Sequence, residues 1–424
     1  MIDIKRIREE TDVVRQAVAD KNMRVDIDRI LAVDGKRREL ETEFNNLRHE
    51  QKQAGEKIAK AGKDEKAALS QEMGKVKARI QAIEEDLAQV EAELNELMLT
   101  VPQVPSPESP RGPDASGNVE VRKHGATRNK ADFGFPFRDH VEIGESLKLF
   151  DLERGVKLAG SRNYVLTGAG AMLHEAVLRL AWDIMMEAGF TPMTVPVLVT
   201  EKLMYGTGFF PLHRDEVYLC ERDEQCLVGT AEVPVTGFHG DEILSLDELP
   251  KTYVARSTCF RREAGAAGRD TRGLYRIHFF DKLEQVVVCK ADAAESAKWH
   301  EKIIANSEKT LQALELPYRV VEVCTGDMGQ GKYRMYDIET WMPSREAYSE
   351  THSASAFHDF QARRLNLRYR DENGKPQFCH TLNNTVIASP RILIPLLELN
   401  QLADGGVRVP EALRKYMGGM ERID

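Results

Sequence analysis

Residues 252–289 read TYVARSTCFRREAGAAGRDTRGLYRIHFFDKLEQVVVC. Two runs rich in β-branched and aromatic residues flank the loop Ala264–Gly273, which predicts a long-looped antiparallel hairpin. Alternate residues of a strand share a face. One face of the second run then carries Arg276, His278, Phe280, Lys282 and Glu284, and the other Ile277, Phe279, Asp281 and Leu283. A strand inside a large domain ordinarily hides apolar side chains or leaves one face solvated. A face that mixes both signs of charge with an aromatic ring suits a ligand with phosphates and a base. The first run adds Arg261 and Glu263, two apart and so on one face. An arginine fork suits phosphate or carboxylate oxygens, and a carboxylate can accept from an exocyclic amine. The same Phe-Arg-Arg-Glu string also reads as a surface ion pair.

Upstream, Ala171–Gly189 reads as a helix stopped by glycine, leading into a strand over Phe190–Leu198 that contains two prolines and so belongs at an edge, bulge or interface. Thr230-Ala-Glu232 sets a hydroxyl and a carboxylate on one side of an extended segment. Glu350-Thr-His-Ser353 sets a carboxylate three residues from a hydroxyl, either a turn or capping cluster or two oxygen donors of the kind Mg2+ takes beside phosphates. Farther on, Ser389 and Pro390 look like an N-cap and first helical position. Arg391 would then sit in a first turn that disfavours cations, facing either a bound anion or a neighbouring acid. Pro395 should kink the same helix.

The N-terminal quarter obeys a different period. Leu69, Met73, Val76, Ile80, Ile83, Leu87, Val90, Leu94 and Leu97 alternate spacings of four and three, the seam of a coiled coil. Val33, Arg37, Leu40, Phe44, Leu47, Gln51, Ala54 and Ile58 make a matching seam, and Ala61-Gly-Lys-Asp64 is a breaker between them. The reading is two antiparallel helices of roughly 33 residues, about 50 Å each. Residues 36–80 hold 12 Lys/Arg and 8 Asp/Glu, whereas residues 81–100 hold six acids and no Lys/Arg. The basic outer part is either a solvated coiled-coil face or a surface for nucleic-acid phosphates. Residues 101–118, with five prolines, predict an extended linker. This divides the chain into an arm domain at 1–104, a linker at 105–118 and a catalytic domain at 119–424.

The formal net charge of −9 excludes a simple basic nucleic-acid coat, so any such contact is local. No apolar run suggests a signal core or a membrane span. Cysteines 220, 226, 259, 289, 324 and 379 form no Cys-x-x-Cys pair, as expected of reduced thiols in the cytoplasm and not of a zinc site.

Taken in order, several segments resemble the seryl-tRNA synthetases of bacterial type, members of the second synthetase class. They are Gly189–Pro196, Thr230–Glu232, Phe260–Gly265, Gly268–Gly273, Arg276–Glu284, Phe360-Gln-Ala-Arg-Arg364 and Thr381–Thr385 with Arg391. The resemblance implies an α+β fold, an antiparallel sheet flanked by helices in a homodimer, with the coiled-coil arm reaching tRNA(Ser) through residues 36–80. It implies ATP contacts from Arg261, Glu263, Arg276, Ile277, Phe280 and Arg391, with Mg2+ held by Glu350 and Ser353. L-serine contacts fall to Thr230, Glu232, Arg261, Glu284 and Thr385, and Arg261 and Arg391 are implied as the catalytic pair. Two positions depart from many relatives: Phe279 stands for Gln, and Asn384-Thr385 for Gly-Ser.

Overall fold

The computed structural model describes the chain except for residues 61, 266, 267 and 269 and the side chains at 58–60, 63–65, 67 and 68. The expected turn residue Ala61 and the motif residue Arg269 therefore lie outside the described residues. Two compact units result: residues 2–19 with 23–102, and residues 1, 20–22 and 103–424.

In the first unit, helix α1 (Ile27–Lys60) and helix α2 (Lys63–Thr100) pack side by side as an antiparallel hairpin. Val33 and Leu40 on α1, and Val76, Ile80, Ile83, Val90 and Leu94 on α2, are buried along the seam. Arg37, the charged seam residue, pairs with Asp34 and Glu41 on its own helix. Ion pairs Arg29–Glu93, Arg79–Glu43 and Arg48–Glu84 cross the hairpin. Such exposed pairs contribute about 0.2–1 kcal/mol each, less than the roughly 1.5–3 kcal/mol of one buried aliphatic side chain. The apolar seam therefore holds the hairpin and the charges fix its register.

The second unit is built on eight strands: β1 (Val119–His124), β2 (Thr191–Met193), β3 (Lys251–Phe260), β4 (Phe279–Cys289), β5 (Tyr318–Glu322), β6 (Arg334–Met342), β7 (Ala347–His358) and β8 (His380–Ser389). Their order is β1-β5-β6-β7-β8-β4-β3-β2, antiparallel throughout except for β2 beside β3. Helices α3 (Gly168–Glu187) and α5 (Ala293–Ala313) cover one face. There Leu283, Val287, Leu382 and Ile387 join Ala176, Ile184, Ile303 and Leu311 in one core. The helix α4 (Glu232–Gly237) precedes β3, and α6 (Phe360–Leu365) follows β7.

Several elements differ from their sequence reading. The strand expected over Phe190–Leu198 is cut to Thr191–Met193, because Pro196 has no N–H to give a ladder; Leu198–Thr200 pairs in a separate small sheet. The proline-rich stretch expected to be an extended linker is extended only at its start, then turns at 107–109 and makes a short 3-10 helix at Ala115–Gly117. It is tied down along its length, the Gln103 and Ser106 N–H groups donating to the Gln330 and Tyr333 carbonyls and the Pro110 and Gly112 carbonyls accepting from the Thr325 and Gly326 N–H groups. Ser389 ends β8 rather than capping a helix, and α7 (Leu393–Leu399) begins later. Arg391 consequently lies in a turn, outside the reach of the dipole argument, and Pro395 falls in the first turn of α7, where no intrahelical N–H is needed and no kink is imposed.

Candidate active site

A cavity of about 490 Å³ opens on the sheet face away from α3 and α5. All twelve side chains singled out from the sequence line it: Thr230, Glu232, Arg261, Glu263, Arg276, Ile277, Phe280, Glu284, Glu350, Ser353, Thr385 and Arg391. The pleat explains only part of this convergence. Phe280, Lys282 and Glu284 alternate along β4 as expected, but Arg276–His278 precede the strand and Arg261 and Glu263 follow the end of β3. Glu263 is turned in by a left-handed backbone (φ 54°), not by strand alternation. His278, expected on the ligand face, instead sets its Nδ1 2.9 Å from the Arg261 carbonyl and holds the hairpin neck.

Glu350 and Ser353 are three apart and would face opposite ways on a regular strand. Here β7 carries a bulge against β6: Ile338 pairs with His352 and Glu339 with Glu350, leaving Thr351 unpaired. The extra residue brings both oxygens to the cavity. Ser353 Oγ is buried with no hydrogen-bond partner, as is Oδ1 of its cross-strand neighbour Asp337. Burial, and then the charge of Glu350, push the Asp337 carboxyl well above the usual range. These orphaned buried oxygens beside Glu350 fit a hard divalent cation, which would take the place of the proton that burial keeps on Asp337.

The guanidinium of Arg261 lies over the Phe280 ring at 5.1 Å, and no carboxylate among the described residues pairs with it. Arg391 is held by backbone alone, donating to the Tyr275 and Glu350 carbonyls at 3.0 and 3.3 Å while its guanidinium rests on the Tyr275 ring. Arg276, by contrast, is bound to Glu263 at 2.8 Å. Among the described residues no carboxylate pairs with either Arg261 or Arg391, an arrangement that favours an anionic ligand.

The remaining residues form a buried acidic group. Lys282 Nζ is 2.5 Å from Glu284 Oε2, with both side chains almost fully buried. Thr385, directly across from Glu284 in the ladder, donates to the same oxygen at 3.3 Å. Glu232 accepts from Gln361 at 2.7 Å. Burial, and next the nearby Glu284, push the Glu232 carboxyl up to about 7. Lys282 lies on the face of β4 that strand alternation assigns to it, and its partner there is Glu284. Gln361 carries no sequence signal of a role here, because it stands behind the cavity on a separate helix and touches Glu232 from there. Asn384 turns away from the cavity and donates to the Ile303 carbonyl and Ser307 Oγ, and Phe279 stacks on Tyr164 on the far face.

A second titratable cluster, His174, Glu175 and Asp281, lies outside this cavity. Arg256 already bridges both of its acids at 2.7 and 2.8 Å, so it has a resident cation.

Residues 218–400 match the model of the tRNA synthetase class II core domain (G, H, P, S and T), which defines the class of the sheet and its cavity. A prolyl-tRNA synthetase from Giardia lamblia shares this fold alone, at 15% identity and a TM-score of 0.56 over 64% of this chain and 54% of its own. Residues 1–105 match the seryl-tRNA synthetase N-terminal domain. A serine–tRNA ligase of Deinococcus radiodurans is 48% identical over 99% of this chain and 98% of its own length. The structure of seryl-tRNA synthetase from Pyrococcus horikoshii complexed with ATP superposes at a TM-score of 0.92, with 37% identity over 100% of this chain and 99% of that one. The chain belongs to the seryl-tRNA synthetase family.

Proposed function

We propose that the cavity joins L-serine to ATP, forming seryl-adenylate and pyrophosphate, and then passes serine to a ribose hydroxyl of the 3′-terminal adenosine of tRNA(Ser), releasing AMP. The observation that carries this reading is the pairing of two uncompensated arginines with a buried acidic group in one cavity. A nucleotide polyanion and an amino acid's ammonium and hydroxyl are the complementary partners.

Activation requires a carboxylate to approach a polyphosphate, so charge repulsion is the main obstacle. Arg261 binds the serine carboxylate and the α-phosphate together, and Arg391 binds the γ-phosphate. Preorganised donors of this kind are each worth about 3–4 kcal/mol of transition-state stabilisation. The serine carboxylate is already ionised, so no general base is needed and positioning supplies most of the rate. Phe280 stacks on the adenine, Glu263 and the Ile277 backbone meet its edge, and Arg276 assists at the phosphates. Glu350 and Ser353 would hold Mg2+, which when bound neutralises phosphate charge. Thr230 and Glu232 receive the serine ammonium, while Glu284 and Thr385 receive its hydroxyl.

The arm domain, residues 1–104, carries the second substrate in this reading. The basic outer part at 36–80 suits RNA phosphates rather than base edges. The catalytic domain at 119–424 works as a homodimer. Six free cysteines, and no helix among the described residues long and apolar enough to cross a membrane, are in keeping with a cytoplasmic site of action.

ATP–pyrophosphate exchange with each of the twenty amino acids, without tRNA, tests the reading. Exchange with serine alone is expected; exchange driven by another amino acid would redirect the assignment of Glu284 and Thr385. Deleting residues 36–97 should spare exchange and abolish tRNA charging, and intact charging would give the arm another task.

A further inference from the structure

Gln361 sits on α6 in the Phe360-Gln-Ala-Arg-Arg364 string, at 1% exposure. Its amide nitrogen donates to Glu232 Oε1 at 2.7 Å and to the Thr207 carbonyl at 3.0 Å. Its amide oxygen accepts from Thr381 Oγ1 at 2.7 Å, and Thr381 is itself fully buried on β8. The Thr207 carbonyl can only accept, so the amide nitrogen must face it and Glu232, and the amide oxygen is left for the Thr381 hydroxyl. Among the described residues Gln361 is the one side chain that donates to Glu232. Three elements (α4, α6 and β8) thus meet in a short relay, Thr381 to Gln361 to Glu232, that ends in the cavity.

We infer that Gln361, oriented by Thr381, is a positioning residue that fixes one oxygen of Glu232 and favours its carboxylate form, so that it can receive the ammonium group of the amino-acid substrate. The inference rests on the reading of Glu232 given above and deepens it.

The charges around Glu232 make this role consequential. Burial opposes ionisation, and so does Glu284 on β4. The Gln361 hydrogen bond favours ionisation, followed by the charges of Lys282 on β4 and Lys332 in the segment before β6. Burial and Glu284 outweigh the others and raise the carboxyl to about 7, so acid and carboxylate forms are both populated near neutral pH. An arriving ammonium needs the carboxylate, so the carboxyl proton of the acid form must leave to solvent as the substrate binds. Capture of serine therefore weakens about tenfold per pH unit on the acid side of that value. A hydrogen bond to a charged acceptor is strong enough to move this limb by about one pH unit.

The test uses the full chain in serine-dependent ATP–pyrophosphate exchange, with kcat/KM for serine followed from about pH 5.5 to about pH 8.5. Gln361→Met keeps the side chain's size and removes the donor. Its acid limb should move up by about one pH unit, with serine KM raised about tenfold at pH 6 and ATP KM unchanged. Thr381→Val removes only the orienting hydroxyl and should shift the limb the same way by less. Glu232→Gln, run in parallel, should raise serine KM and erase the limb. If Glu232→Gln weakens serine while both other variants keep the wild-type limb, Gln361 is packing only and the inference is overturned. If Glu232→Gln leaves serine KM untouched, the ammonium assignment itself is wrong, and the inference falls with it. Should Gln361→Met show no melting transition, Thr381→Val decides by the same limb.

Discussion

Arg261 and Arg391 line the cavity with no carboxylate paired to them among the described residues, whereas Glu232 and Glu284, which line the same cavity, are sunk among partners that already occupy part of their capacity. The first pair keeps its charge because guanidinium is ionised at any working pH and can rest on an aromatic ring or on carbonyls. The second pair cannot wait unpartnered, since an isolated buried carboxylate neutralises itself instead. Lys282 solves this for Glu284, and Gln361 with partial protonation solves it for Glu232. One end is thus ready for an anion by being left bare, and the other is ready for a cation by being held half-satisfied.

The largest expected effect comes from the bare end. Arg261→Ala should lower kcat for serine-dependent exchange by about 10²–10³-fold, the cost of one preorganised donor. Arg261→Lys should recover little of it, because the fork that spans two ligands is gone. Arg276→Ala should cost less, since Arg276 is already engaged by Glu263. A larger loss at Arg276 than at Arg261 would break the distinction between bare and paired cations.

At the satisfied end the loss should appear in serine affinity. Glu284→Gln keeps the volume but removes the charge that holds Lys282. Serine KM should rise by about 10²-fold with ATP KM unchanged, and discrimination against alanine should shrink, because a site built for a hydroxyl rejects its absence through unpaired groups. Steady-state exchange with serine and alanine across ATP concentrations measures both. Equal losses for serine and ATP would mean that Glu284 supports the whole cavity rather than one end of it.

How far each part could be read from sequence depends on how regular it is. The hairpin seam repeats every seven residues, so each position restates the same prediction: Val76, Ile80, Ile83, Val90 and Leu94 are buried, and Leu69, Met73, Leu87 and Leu97 partly so. The cavity residues were recognisable by type, and β4 delivered Phe280 and Glu284 by simple alternation. The geometry that gathers the others was not legible, because it lies in departures from period two: a bulge at Thr351, a left-handed Glu263, and a turn rather than a helix at Arg391. Such features depend on partners distant in sequence. The same holds for Gln361, whose contact with Glu232 spans 129 residues. Asn384, which stood as an unexplained departure, proves to serve the helix side: a buried amide that ties β8 to α5.

The smallest effect concerns stability and follows from the sign of the Glu232 shift. Its carboxyl moves from an ordinary value of 4.5 up to about 7 in the folded protein. The folded chain therefore binds this proton more tightly than the unfolded chain does. That preference is fully present below about pH 4.5 and is lost as pH rises through about 7, a swing on the order of 3 kcal/mol. Glu232→Gln has no proton to lose, so its melting temperature relative to wild type should climb between pH 5 and pH 8. Saturating serine should reverse the ranking at pH 8, where the wild-type carboxylate gains its ammonium partner and the amide does not. Differential scanning calorimetry at the two pH values, with and without serine, gives all four comparisons. A melting difference that ignores pH would mean that Glu232 is charged throughout, and that the satisfied end of the cavity is held open by Lys282 and Gln361 alone.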